Sequence, residues 1–359
     1  MRTLAADRTA SVAPEQEGAG VLRRNLPDLV GAGLAAALVG WSFVAAADDG
    51  GHPWRVAALV AAVAGAFIVA RLVGTVARWA VPLGVTAAGL WIYLGDPSAV
   101  RSDYPLGGFL LYSNARGGFF AMAAGAGVML AAALWGGRRW LSVGAAVAAV
   151  GAAALLAPIP FSTGTHAGMF AVVAFGAVAL VAANRGWARG VMAASAVGLV
   201  LMLGFTTYLA AGYGDGPPGF VERLVERTPL EDDRIDLWHQ ALDEMWDHPW
   251  TGIGPGNFDA GEGETEPEFY RRNARHGFLQ LGAETGIPGM LLLVSLFLWG
   301  FWRLWMVADP DRVTALGAVA LLGLGVQACL DFILHFPILP IVVAALVGTA
   351  VARPRRVDA

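Results

Sequence analysis

The stretch from Arg234 to Gly289 reads RIDLWHQALDEMWDHPWTGIGPGNF over 234–258 and RHGFLQLGAETGIPG over 275–289, with a short acidic insert between. It is the middle and end of the one long polar segment in an otherwise apolar chain. The apolar runs on either side of it decide the fold.

Of 359 residues, 57% are apolar and only 14% charged. A soluble domain of that balance would expose too much hydrocarbon, so the composition selects a polytopic membrane protein. No Lys is present, so all 24 basic residues are Arg. A guanidinium cannot be neutralised by a pKa shift at working pH, and each buried one needs an anion. Sixteen of the 28 acidic residues lie between Asp215 and Glu284, inside the polar segment. A single cysteine, Cys329, excludes a disulfide framework and a thiolate metal site.

A helical span needs ~20 apolar residues. On that rule the expected fold is all-α, with about ten transmembrane helices and one large helical outward loop. The spans fall at 28–47, 54–73, 77–94, 117–136, 140–159, 166–184, 190–212, 286–306, 313–333 and 335–352. The divisions are then a tail at 1–27, the first seven spans within 28–212, the loop 213–285, the last three spans within 286–352, and a tail at 353–359. Arg71, Arg78, Arg138, Arg139, Arg185, Arg189, Arg303, Arg312, Arg353, Arg355 and Arg356 all fall on one side. The positive-inside rule makes that side cytoplasmic, with both termini there, and sends 213–285 to the periplasm or cell exterior. The Ala- and Gly-rich spans are packing surfaces. No inverted pair of broken helices marks a transporter.

Within the loop, acidic residues Glu231–Asp233 suit a helix start. At ~100° per residue, Ile235, Leu237, Trp238, Ala241, Leu242, Met245 and Trp246 share one arc, opposite Asp232, Asp236, His239, Asp243 and Asp247. Arg234 lies inside the apolar arc, one turn before Trp238. Geometry leaves two readings open: a snorkelling arginine at a helix end, or a guanidinium aimed at a buried phosphate. The glycine-rich PWTGIGPGNF follows no strand, so it fails the context of a dinucleotide site and reads as a tight loop. His276 opens the next helix, with Gln280 and Glu284 following at i+4 and i+8 on its face. Neighbouring Arg271, Arg272 and Arg275 would lower its pKa and favour the neutral base that activates a hydroxyl.

The Arg-x-x-x-Trp helix, the Pro-x-x-Gly-x-Gly turn, the histidine and Glu-Thr-Gly-x-Pro-Gly together resemble the signature of the O-antigen ligase and O-antigen polymerase family, bacterial polytopic GT-C glycosyltransferases. DFILHFP, with Asp331, His335 and Pro337, resembles the family's ending. The resemblance implies a metal-independent, inverting transfer, without cofactor, of a glycan from undecaprenyl diphosphate to an acceptor hydroxyl at the periplasmic face of the inner membrane. The acceptor would be a glycolipid such as lipid A-core, or a second carrier-linked glycan. The partners are therefore lipids and glycans in a bilayer, not nucleic acid. By the same resemblance Arg234 holds the diphosphate and His276 deprotonates or orients the acceptor, with Trp238, Gln280 and Glu284 in support.

Two positions depart from the family pattern. Gly277 stands where the histidine is usually followed by Asn. His166, in STGTHAG, stands where a second diphosphate-binding Arg is expected. The cations that could substitute are His166 itself if protonated, Arg101, Arg116 and Arg275; Arg116 also fits an interfacial anchor. A ligase and a polymerase would use the same loop. A non-enzymatic carrier of lipid-linked glycans, or a divergent inactive member, are the readings from other classes.

Overall fold

The computed structural model describes residues 14–95, 112–135, 140–162, 185–212, 232–259 and 273–353. Among them there is no strand. The helices are α1 (Pro14–Asp49), α2 (Pro53–Val76), α3 (Ala80–Gly95), α4 (Ser113–Leu134), α5 (Trp140–Leu156), the single turn α6 (Ile159–Ser162), α7 (Ala188–Ala210), α8 (Asp232–Asp247), α9 (Gly277–Trp305), α10 (Arg312–Leu330) and α11 (Ile338–Val351). Nine of the ten expected spans coincide with a described helix; the tenth, 166–184, lies outside the described residues. Six stretches are long and apolar enough to cross a bilayer: Asn25–Ala47, Pro53–Val76, Ser113–Leu134, Ala188–Ala210, Gly277–Trp305 and Arg312–Leu330. Ala80–Gly95, Ala146–Leu156 and Ile338–Val351 are apolar but shorter. The chain is a multi-pass membrane protein.

Two boundaries differ from expectation. Helix α1 starts at Pro14, inside the tail expected at 1–27, and continues through Pro27. Helix α9 joins the last helix of the loop to the eighth span, with a kink at Gly286.

Helices α4 and α10 are buried along most of their length, while few residues of α2 are fully buried. Small residues permit the close approaches. A Cβ on Gly348 would sit 2.4 Å from the Phe67 carbonyl oxygen, and one on Gly127 would sit 2.9 Å from the Ala153 methyl. The core between them is built from Phe119, Phe120, Met122, Leu316, Leu324 and Leu346.

The bundle has two ends. At one, Arg71 and Arg303 both bind Asp28, at 2.6 and 2.7 Å. Arg78 there binds Asp311 at 2.5 Å and the Ala350 carbonyl at 2.9 Å, closing the C-terminus of α11. These are anions of the kind the arginine-only composition requires. The opposite end carries α8, the glycine-rich turn and the start of α9. Exposed Trp54, Trp91, Trp246 and Trp250 ring that end, and Trp79, Trp135, Trp187, Trp302 and Trp305 the other. Two such girdles suit the two interfaces of a bilayer.

Candidate active site

Helix α8 lies against the end of α7 and the first half of α9. Trp238, Ala241, Leu242 and Met245 are buried there against Leu209, Phe258, Leu279 and Ala283. This is the apolar arc read from the sequence, with one difference: Trp246 is 62% exposed. It sits at the edge of the arc.

The glycine-rich turn is a clasp. Gly252, Gly254 and Gly256 all have positive φ. Ile253 N–H donates to the Ala283 carbonyl (2.9 Å) and Ile287 N–H to the Pro249 carbonyl (2.9 Å), across the kink of α9. Gly286 has φ 71°, and a Cβ on it would meet the Trp250 carbonyl oxygen at 2.2 Å. Only glycine accommodates both the left-handed backbone and that approach. The turn also reaches α1 and α2: His52 N–H donates to the Pro255 carbonyl at 2.7 Å, and the Asn257 amide to the Asp49 carbonyl at 3.1 Å.

Arg275, immediately before the histidine, is buried and has φ 50°. Left-handed backbone at a non-glycine residue costs of order 1–3 kcal/mol and clusters at functional sites. Its carbonyl accepts from Trp238 Nε1 at 3.1 Å. His276 then follows in extended conformation as the N-cap of α9. Its Nδ1 accepts from Leu279 N–H at 3.2 Å, and its Nε2 lies 2.9 Å from the Thr206 hydroxyl on α7. A backbone N–H can only donate, so Nδ1 is unprotonated. In the neutral ring Nε2 therefore carries the proton and donates to Thr206. The ring is fully buried, edge-on to Trp238 with centroids 5.3 Å apart. Burial pushes its pKa down to about 3. The first cause is desolvation.

The end of α10 ties these parts together. Arg234 Nη1 donates to the Leu330 carbonyl at 2.7 Å. This satisfies a helix-terminal acceptor with a cation, as the helix dipole favours. Gly277 N–H, beside the histidine, donates to the Asp331 carbonyl at 3.2 Å. The Cys329 thiol meets the Thr206 hydroxyl that also holds His276. Three successive residues, 329–331, thus connect Arg234 and His276, which are distant in sequence.

The Asp331 side chain is almost fully buried and densely bonded. Tyr112 OH donates to Oδ2 at 2.5 Å, Asn114 donates to the same oxygen, and Phe332 N–H donates to Oδ1 at 2.8 Å. Burial raises its pKa, opposed by the charge of Arg234 and by those hydrogen bonds. Burial also raises the pKa of Tyr112, with the Asp331 charge adding to it. Arg116, one turn into α4 from this group, is fully buried. An interfacial anchor would be half in solvent, so that reading is replaced by an arginine inside the bundle.

Gln280 and Glu284 share a helix face as expected. The Gln280 amide nitrogen donates to Glu284 Oε1 at 2.9 Å and lies 3.4 Å from both Asn273 Oδ1 and His335 Nε2. The His276 ring does not join them, because an N-cap side chain folds back over its own first turn.

His166, Arg101, Arg271 and Arg272 lie outside the described residues. Sequence reasoning missed Tyr112, Asn114, Thr206 and Asn273 as site residues. Their only local signal is a polar side chain at the end of an apolar run.

No curated protein matches the chain. Residues 152–294 match the family model described as O-antigen ligase. That range contains Thr206, Arg234, Trp238, Arg275, His276, Gln280 and Glu284, whereas Tyr112, Arg116, Asp331 and His335 lie outside it. Over that stretch the chain is similar to the O-antigen ligase family.

Proposed function

We propose that the protein moves a glycan from undecaprenyl diphosphate to the hydroxyl of an acceptor glycolipid, at the outward face of the inner membrane. The observation that carries this is the gathering of Arg234 and Arg275 with Asp331, Tyr112 and His276 around the end of α10, at one end of a membrane bundle. The positive-inside count supports a periplasmic position for that end.

In the reaction the acceptor oxygen forms a bond to the anomeric carbon from the face opposite the carrier. The bond from that carbon to the diphosphate oxygen breaks, and its electron pair leaves with the diphosphate. A diphosphate is already a good leaving group, so charge neutralisation and positioning supply much of the rate. Arg234 is the assigned diphosphate cation, with buried Arg275 and Arg116 as partners in that role. His276 fixes the start of α9 against α7 and α8.

The test is direct. The full chain, purified into nanodiscs, is incubated with undecaprenyl-diphosphate-linked glycan and lipid A-core. Glycosylated lipid A-core is the expected product. Lengthened carrier-linked glycan instead would identify a polymerase, and donor binding with no turnover would contradict the proposal in favour of a carrier.

A further inference from the structure

We infer that Thr206 is a positioning residue for the transfer, holding the His276 imidazole in one tautomer and one orientation. This rests on the transferase reading above, in which His276 belongs to the site, and names the residue through which α7 acts on it.

A threonine in an apolar helix commonly does no more than return its hydroxyl to its own backbone. Thr206, fully buried near the end of α7, does that first. Its Oγ1 lies 3.0 Å from the Met202 carbonyl and 3.1 Å from the Leu203 carbonyl. Carbonyl oxygens only accept, so the one hydroxyl hydrogen is shared between them. Toward His276 Nε2, 2.9 Å away, Oγ1 therefore offers only lone pairs, and Nε2 must bring the hydrogen. Leu279 N–H fixes the other nitrogen independently, since it donates to Nδ1 at 3.2 Å. Two helices thus select the same neutral tautomer, α7 through a side chain and α9 through its own first turn.

The aromatic neighbours give the ring its place but do not bond its nitrogens. Trp238 and Phe278 meet it edge-on, with centroids at 5.3 and 6.2 Å. The Trp238 N–H is committed to the Arg275 carbonyl. Without the Thr206 hydroxyl, the Nε2 hydrogen would be a donor with no acceptor in a fully buried place. The ring would then be left on the single 3.2 Å cap bond, with tautomer and rotamer both free to change. What an imidazole can do to a hydroxyl, orienting it or taking its proton, depends on which nitrogen carries the hydrogen. Thr206 settles that choice, and so acts on the reaction through His276 without touching a substrate.

Glycan transfer from undecaprenyl-diphosphate-linked glycan to lipid A-core is measured in nanodiscs for the wild-type chain, Thr206→Val and Thr206→Ser. Valine keeps the shape and removes the hydroxyl; serine keeps the hydroxyl and removes the methyl. Thr206→Val is expected to lose about 10²-fold in kcat with KM little changed, and Thr206→Ser to keep most of the rate. Wild-type transfer by the valine variant, or equal losses in both, overturns the assignment while leaving the transferase reading intact. The imidazole nitrogen NMR spectrum of the wild-type chain gives a second readout that needs no variant at 206. His276, identified by the signals lost in His276→Asn, should show a bare Nδ1 and a protonated Nε2. The opposite tautomer, or an imidazolium at neutral pH, overturns the assignment. A wild-type chain that transfers nothing overturns both.

Discussion

The Trp238 indole meets the His276 imidazole edge-on, with centroids 5.3 Å apart at 88°, while its own N–H holds the carbonyl of the intervening Arg275. One fully buried side chain on α8 thereby fixes the left-handed residue and the cap that start α9.

Removing it should be costly. Trp238→Ala is expected to lose about 3–5 kcal/mol of stability from cavity formation, read as a lower melting temperature of the purified chain. Trp238→Phe, keeping the ring but not the donor, should lose about 1 kcal/mol. Equal stability of all three proteins would show that α8 does not organise the site.

The buried imidazole should make stability pH-dependent. The His276 pKa is depressed in the folded protein to about 3, from an unfolded value of 6.5. Its contribution is therefore complete above pH 6.5 and is lost as pH falls toward 3, by about 1.4 kcal/mol per unit. Asp331 acts in the opposite sense, because its raised pKa favours the folded state on protonation. The His276 part is isolated by comparing melting temperature against pH for the wild type and His276→Asn. The wild-type curve should fall more steeply with acid; parallel curves would contradict the buried neutral ring.

The clasp at the kink gives a third expectation. Gly286→Ala combines a left-handed backbone with a methyl against the Trp250 carbonyl. A loss of at least 1–3 kcal/mol is expected, together with faster proteolysis within 249–258. Unchanged protection of that segment would show that the kink and the turn are not coupled.

Much of this was legible in the sequence. Hydropathy located nine helices, and the wheel over 231–247 picked out the buried face of α8. What failed were the long-range partners. Thr206 lies 70 residues from His276, and Tyr112 lies 219 from Asp331; no periodicity encodes such pairs. Arg116 was placed at the mouth of its span, but its burial was not legible, for a related reason. The Gly- and Ala-rich run that follows it looks the same at the centre of a bundle as at its rim.

The ion pairs at the far end provide a contrast. Arg78→Ala removes contacts to Asp311 and the Ala350 carbonyl, for an expected loss of about 1–3 kcal/mol. Transfer per folded molecule should be unaltered, since these residues lie at the end of the bundle opposite the site. A matching loss of specific activity would mean that the two ends are coupled.

The most direct measurement is the rate of glycan transfer from undecaprenyl-diphosphate-linked donor by the wild type, Arg234→Ala and Arg234→Lys at matched folded concentration. A permanent bidentate cation on the diphosphate predicts a loss of about 10²-fold or more in the alanine variant, with only partial recovery by lysine. Wild-type rates in the alanine variant would contradict the central claim.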